Sequence, residues 1–447
     1  MFDSLFTSPG IDALLSDQAL IEAMLRFESA LAATQADLGL VPQKAASVIA
    51  DCCSLQFFDV KDLLRSAERD GNPAIPLVKA IEKRVAAMDP DAAKYVHLGA
   101  TSQDVIDTGL MLCTKRAVEL VIADLLSIEE RLVGLVEQQR RTFLPGRTLL
   151  QHARPISFGL KAAGWLDGIA RCCRMLQQGA ATSLAVQFGG AVGSLAASGP
   201  KGLEILEALA RKLDLTTPEV PWHTQRDRIG RLGMDLALAG AALAKIAQDV
   251  VLLMQTEVAE VAEDLGSGGG GSSTLPHKQN PIAPTKILAN AKRIPALAGA
   301  LLTSMVHEHE RSPGGWHAEW VLFPEIIRAV GGSAAQALEL VSGLQIHAER
   351  MRANIDLTNG LIFAENISIE LAKSMSKSAA HGLVTRASQK TRQTGLHLRK
   401  VLEEDPVVKN LLDSGGLDRL FSPEQGEELT DELINRVLAH CASHRRS

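Results

Sequence analysis

Aromatic side chains are scarce in this chain of 447 residues: 11 Phe, 4 Trp and 1 Tyr make up only 4% of it. Its core must therefore be built from aliphatic and small side chains. Single-stranded nucleic-acid binders stack bases on aromatic platforms, and all-β sandwiches draw on aromatic and β-branched strands. The composition supplies neither. A basic excess is missing too. Lys+Arg number 46 against 52 Asp+Glu, a net charge of −6, which argues against nucleic acid or another polyanion as partner. A small anionic substrate needs only a few local cations and is not excluded.

Cysteine is sparse and carries no motif. The six are Cys52, Cys53, Cys113, Cys172, Cys173 and Cys441, with no C-x-x-C among them. Zinc-binding and thioredoxin-like spacings are thereby excluded, and six cysteines in a chain this long do not make a disulfide framework. Reduced thiols in a cytoplasmic protein are expected. The segment MFDSLFTSPG has neither a basic n-region nor an apolar h-region, so no secretory signal is expected. The longest apolar run, Met234 to Met254, contains Asp235, Lys245, Gln248 and Asp249. A membrane span wants roughly 20 apolar residues with few or no charges. The run reads as a helix buried in protein, and no membrane partner is expected.

What the sequence does have is helix-forming composition. Residues 91–144, 156–199, 222–275 and 325–405 are free of Pro, the residue that interrupts helices, and are rich in Ala, Leu, Glu, Lys and Arg. Strict strand alternation is hard to find. The fold class expected is all-α, with long helices. Asp227 to Asp264 reads as one helix, with two shorter helices broken near Gly230–Gly233 or Gly240 as the alternative. Apolar residues occur on nearly all its faces, so it should be buried all round, which implies bundling between subunits. A polar cluster at Gly99–Asp107 and a shift to polar composition after Asn359–Gly360 suggest three domains: 1–110, 111–360 with the long-helix bundle, and 361–447.

The most unusual segment runs from Gly266 to Pro281. It formally contains G-x-G-x-x-G at Gly266, Gly268 and Gly271, but that fingerprint requires a preceding strand, and a helix is expected there. A Gly/Ser linker accounts for Gly266–Ser273 but not for the dense polar decapeptide that follows. A mobile lid accounts for both: glycines permit large hinge changes, while Ser272, Ser273, His277, Lys278 and Asn280 supply a hydroxyl, a cation and an amide donor.

The string GSSTLPHKQNP, residues 271–281, resembles the signature of the fumarase/aspartase superfamily, usually G-S-S-x-M-P-x-K-x-N-P, with Leu275 where Met is usual. His97-Leu-Gly-Ala-Thr-Ser-Gln-Asp104 with Asp107-Thr108 resembles its H-x-G-x-T-S-x-D region. Gly146-Arg-Thr-Leu-Leu-Gln151, followed by Ala153, Pro155, Phe158 and Gly159, resembles its G-R-T-H-x-Q-x-A-x-P region. The likeness extends over nearly the whole chain. It implies three mostly helical domains and a homotetramer around a 20-helix core, whose active sites each draw the three segments from three subunits. It implies no metal and no organic cofactor.

One position departs from the pattern. Fumarase, argininosuccinate lyase and adenylosuccinate lyase carry His where Leu149 stands. That His acts on the leaving group, so chemistry that must protonate a departing group is not expected. His152 lies three residues on, but a helix would turn it to a neighbouring face. His309 to Trp320, Pro221 to Arg228 and Leu361–Glu365 resemble instead the cycloisomerase branch, which closes a γ-lactone from a muconate tricarboxylate by intramolecular carboxylate addition. The runner-up is elimination releasing fumarate, as in adenylosuccinate lyase. Carried over by motif, the catalytic residues are Ser272 for proton transfer, with Lys278 and Asn280 stabilising the developing enediolate charge. Thr101, Ser102, Thr148, Gln151, His277 and Arg311 bind substrate carboxylates. Some residues have a plain alternative: Thr101 or Ser102 as a helix N-cap and His97 as a structural histidine, while Trp316 and Trp320 read either as core packing or as a pocket wall in place of adenylosuccinate lyase's nucleotide-binding surface. The cluster His307, Glu308, His309 and His317 lacks H-E-x-x-H, and no metal is expected there.

Overall fold

The computed structural model describes residues 2–266, 270–271, 274–275 and 277–444. Ser272, Ser273 and Pro276, all within the glycine-loop motif, lie outside the described residues. Helices dominate. Five are long: Ser102–Gln138, Phe158–Ser183, Asp227–Leu253, Ile282–Ser304 and Gly315–Ser342. Among the described residues, sheet is confined to two antiparallel ribbons, Phe143–Thr148 with Gln151–Ser157 and Val261–Glu263 with Leu344–Ile346. The all-α reading holds.

Local chemistry starts many of the helices. Ser16 caps Asp17–Asp37 by accepting from Ala19 N–H, and Asp59 caps Val60–Asp70 from Lys61 and Asp62. Such caps satisfy donors that have no partner within the helix. Pro295 and Pro324 lie inside long helices, so proline is tolerated where tertiary packing holds the helix together.

The chain divides into two compact units. One comprises Met1–Leu126, Arg171–Ala244 and Lys286–Ala337; the other comprises Ser127–Ala170, Lys245–Thr285 and Leu338–Ser447. In the first, the part of the Asp227–Leu253 helix up to Ala244 is continuous through its glycines rather than broken at them. A Cβ at Gly230 would meet Met305 Sδ at 2.4 Å, one at Gly233 would meet Leu301 at 2.4 Å, and one at Gly240 would meet Ile294 at 2.8 Å. The glycines are there to admit neighbouring side chains, a use that outweighs their low helix propensity. In the second unit, Ile355, Phe363, Leu383, Leu398, Leu402 and Leu420 belong to one apolar cluster.

The Asp227 helix ends at Leu253, not at Asp264. Ala259 takes φ +51° and Glu260 N–H bonds Leu253 C=O. Glu260 is then buried, with Arg147 donating to both its carboxylate oxygens at 2.7 and 2.9 Å and Asn354 donating at 2.8 Å. Satisfying that carboxylate and pairing Val261–Glu263 with Leu344–Ile346 replace the helical continuation. A strand therefore does precede the glycine loop. It is antiparallel and three residues long, so it does not make the strand-to-helix unit a dinucleotide fingerprint needs.

Candidate active site

In the first unit, the head of the Ser102–Gln138 helix gathers three of the expected residues. Thr101 occupies the capping position, yet its hydroxyl is not the cap. Its N–H donates to Asp104 Oδ2 at 3.0 Å, so a carboxylate one turn on closes the helix end. The Thr101 hydroxyl is left to accept from Arg311 Nη2 at 3.0 Å, and its own hydrogen remains to donate. Arg311 Nη2 also reaches Ala191 C=O at 3.2 Å, while its buried Nε has no partner. Thr101, Ser102 and Arg311 thus present hydroxyls and a cation at a helix N-terminus, a setting that favours a carboxylate.

Asp104 anchors this head. It is fully buried and accepts from Gly189 N–H at 3.0 Å and Gly190 N–H at 2.9 Å, with His223 Nε2 at 2.7 Å. Gly190 has φ +73°, and a Cβ there would meet Gly99 O at 3.0 Å, so the carboxylate holds a turn that glycine alone fits easily. His97, also at positive φ (+58°), sets its Nδ1 2.6 Å from Glu28 Oε1. Burial pushes the imidazole pKa down, but the Glu28 charge and hydrogen bond outweigh it and the net shift is upward.

The residues from Phe143 to Ser157 form a β-hairpin rather than a helix. Thr148 pairs with Gln151, and the two-residue turn between them is Leu149–Leu150, at φ +49° and +62°. These leucines are 97% and 72% exposed. Thr148 and Gln151 therefore stand side by side at the hairpin's end. His152 pairs in register with Arg147. Its buried Nδ1 has no partner, and burial followed by the Arg147 charge lowers its pKa.

The glycine loop in the second unit is pinned at its base. Asn280 donates to Gly270 C=O through its N–H at 3.0 Å and through Nδ2 at 3.1 Å, and Gly271 bridges Gln279. His277 and Lys278 are exposed. The N-terminus of the Ile282–Ser304 helix is already occupied, since Glu263 accepts from Ile282 and Ala283 N–H at 2.7 and 3.0 Å. Thr101, Ser102 and Arg311 belong to the first unit; Thr148, Gln151, His277, Lys278 and Asn280 belong to the second.

Among the described residues, no group of three His, Cys, Asp or Glu could hold a metal ion. Trp316 is buried, donates to Asp107 Oδ1 at 2.9 Å and packs edge-on against Trp320 at 4.8 Å. Trp320 lines a cavity of about 290 Å³ with Ile106, Leu110 and Pro324. His223, Arg226 and Glu319 fall in segments that carry the resemblance, but sequence reasoning gave neither them nor Glu28 a role as partners. Charged and polar side chains this deeply buried must be paired, but a sequence does not show which positions are buried.

The pattern of a family described as Lyase matches residues 11–296, and one described as Adenylosuccinate lyase C-terminus matches residues 360–437. A 3-carboxy-cis,cis-muconate cycloisomerase of Pseudomonas aeruginosa is 44% identical, over 98% of this chain and 96% of its own length. One of Bradyrhizobium diazoefficiens is 43% identical, over 97% and 96%. The crystal structure of the 3-carboxy-cis,cis-muconate lactonizing enzyme from Pseudomonas putida superposes with a TM-score of 0.94 at 42% identity, covering 99% of each chain.

Proposed function

From the premise that this chain belongs to the lyase family of the fumarase/aspartase superfamily, we propose that it is a cycloisomerase that closes 3-carboxy-cis,cis-muconate to its γ-lactone. The observation that carries this reading is the end-to-end likeness to cycloisomerases, in sequence and in fold.

The reaction begins when one substrate carboxylate adds to the conjugated double bond. Negative charge then develops on a second carboxylate, and a proton is delivered to carbon. The task is to stabilise the enediolate with donors already in place. Lys278 and Asn280 supply a cation and an amide for it. Ser272 is the proton-transfer residue, and a serine hydroxyl needs nearby amides and a cation to act as an acid or base. Thr101, Ser102 and Arg311 take one carboxylate; Thr148, Gln151 and His277 serve the others. The nucleophile is part of the substrate, so no departing amine or water needs a proton. The exposed apolar turn at Leu149 and a His152 biased toward its neutral form suit that chemistry. No metal or organic cofactor enters the reading.

The assembly is a homotetramer with shared sites. Two features support it: the expected residues divide between two units, and within one chain the most apolar 18-residue window of the Asp227–Leu253 helix is only 44% buried. Six free cysteines support a cytoplasmic location.

The test is a spectrophotometric assay of the purified chain with 3-carboxy-cis,cis-muconate. Loss of the diene absorbance is expected. Fumarate release from adenylosuccinate without turnover of the muconate would overturn the assignment.

A further inference from the structure

Arg226 is completely buried between two carboxylates from different helices. Its Nη1 donates to Asp107 Oδ2 at 2.7 Å and its Nη2 to Asp107 Oδ1 at 3.2 Å. On the other side, Nε lies 3.1 and 3.0 Å from the two Glu319 oxygens and Nη2 lies 2.5 Å from Oε2. Asp107 and Glu319 are themselves buried. Burial opposes the guanidinium charge, but the two carboxylates outweigh it and push its pKa up.

Each carboxylate belongs to a helix that carries or directly follows a site residue. Asp107 sits less than two turns beyond Thr101 on the Ser102–Gln138 helix. Glu319 lies in the second turn of the Gly315–Ser342 helix, directly after the loop that holds Arg311. His307 of that loop lies against Glu319, its buried Nε2 3.4 Å from Oε1 without a hydrogen bond between them. Trp316 of the same helix donates to Asp107. Without the guanidinium, two like charges would face each other in a medium of low dielectric, where repulsion is strong. The separation of Thr101 from Arg311, 3.0 Å between their polar atoms, depends on both elements staying in place.

We propose that Arg226 is a positioning residue, which sets the separation of Thr101 and Arg311 by neutralising one carboxylate from each of the two helices beside them. It touches no substrate. The proposal rests on the reading that Thr101 and Arg311 bind a substrate carboxylate.

The experiment is a set of steady-state measurements on the full-length protein with 3-carboxy-cis,cis-muconate. Arg226→Lys keeps the charge but cannot span both carboxylates through a planar fork. It should raise KM at least tenfold while kcat falls less. Glu319→Gln keeps shape and an acceptor, serves if the lysine variant does not fold, and should move KM in the same direction. A double-mutant cycle then separates positioning from general loosening. Arg226→Lys added to Arg311→Met should leave KM within about twofold of Arg311→Met alone, because the ligand being positioned is already gone. Multiplicative effects, or a lower melting temperature with unchanged KM, would overturn the proposal. If Arg311→Met and Thr101→Val each leave KM unchanged, what fails is the assignment of those two residues to the substrate.

Discussion

Glu28 Oε1 lies 2.6 Å from His97 Nδ1 in a pair whose carboxylate is 1% exposed. Burial lowers the His97 pKa, and the Glu28 charge and hydrogen bond raise it further than burial lowers it. The protonated imidazole is thus more stable in the fold than in the unfolded chain. The pair's contribution to stability is complete below the ordinary value of 6.5 and is lost as pH rises through the raised pKa of the folded state. Glu28→Gln removes the charge and leaves burial dominant, so the His97 pKa should drop below 6.5. An NMR titration of the imidazole measures it, and an unchanged midpoint would mean that Glu28 is not the cause.

Ser272→Ala tests the proton-transfer assignment. The change removes one oxygen from a glycine-flanked segment, so the variant should fold and assemble normally. Turnover of 3-carboxy-cis,cis-muconate should fall by two or more orders of magnitude, the range typical for a positioned proton-transfer group. Near-normal turnover, with circular dichroism unchanged, would remove Ser272 from that role.

Much of this architecture was legible because helix composition and three local motifs do not depend on distant contacts. Thr101, Ser102 and Arg311 could be named from short strings, and two of them meet in the structure. What escaped depends on burial and pairing. The hairpin at Phe143–Ser157 has no Asn-Gly or Asp-Gly turn to announce it. Its turn is Leu149–Leu150, and its first strand contains Pro145, which usually argues against a strand. The stop at Leu253 was hidden because the run to Asp264 keeps its helix-forming composition. What ends it are contacts far along the chain, those of Glu260 with Arg147 and Asn354 and the pairing of Val261–Glu263 with Leu344–Ile346. The helix cap at Thr101 was half readable: a Thr before a helix is a common cap, but here the Asp104 carboxylate accepts Thr101's own N–H while the Thr101 hydroxyl accepts from Arg311.

Arg147 and Glu260 allow a clean stability measurement. Glu260 is fully buried, and Arg147 Nη1 and Nη2 bond its two oxygens in parallel at 2.9 and 2.7 Å. Arg147→Met would leave a buried carboxylate with Asn354 as its remaining side-chain partner. Breaking such a pair from one side costs about 3–5 kcal/mol, read as a drop in the denaturant midpoint. Adding Glu260→Gln removes the stranded charge and should recover much of that loss. Additive losses in the double variant would show that the two residues do not act as a pair.

The Leu149–Leu150 turn sets backbone stability against function. Both residues are held at positive φ, +49° and +62°, where an L-residue with a Cβ is disfavoured by roughly 1–2 kcal/mol. Asn-Gly adopts the same turn at little cost. Both leucine side chains are mostly exposed in the single chain, so replacing them sacrifices little packing there. Leu149→Asn with Leu150→Gly should therefore make the isolated subunit more resistant to denaturant, by about 1–2 kcal/mol. The proposed shared site takes Thr148 and Gln151 from this tip, and the proposed assembly would cover its exposed leucines. The double variant should then lose at least tenfold in kcat/KM and sediment as smaller species on dilution. A gain in stability with full activity and unchanged assembly would place the hairpin tip outside the site and outside the subunit contacts.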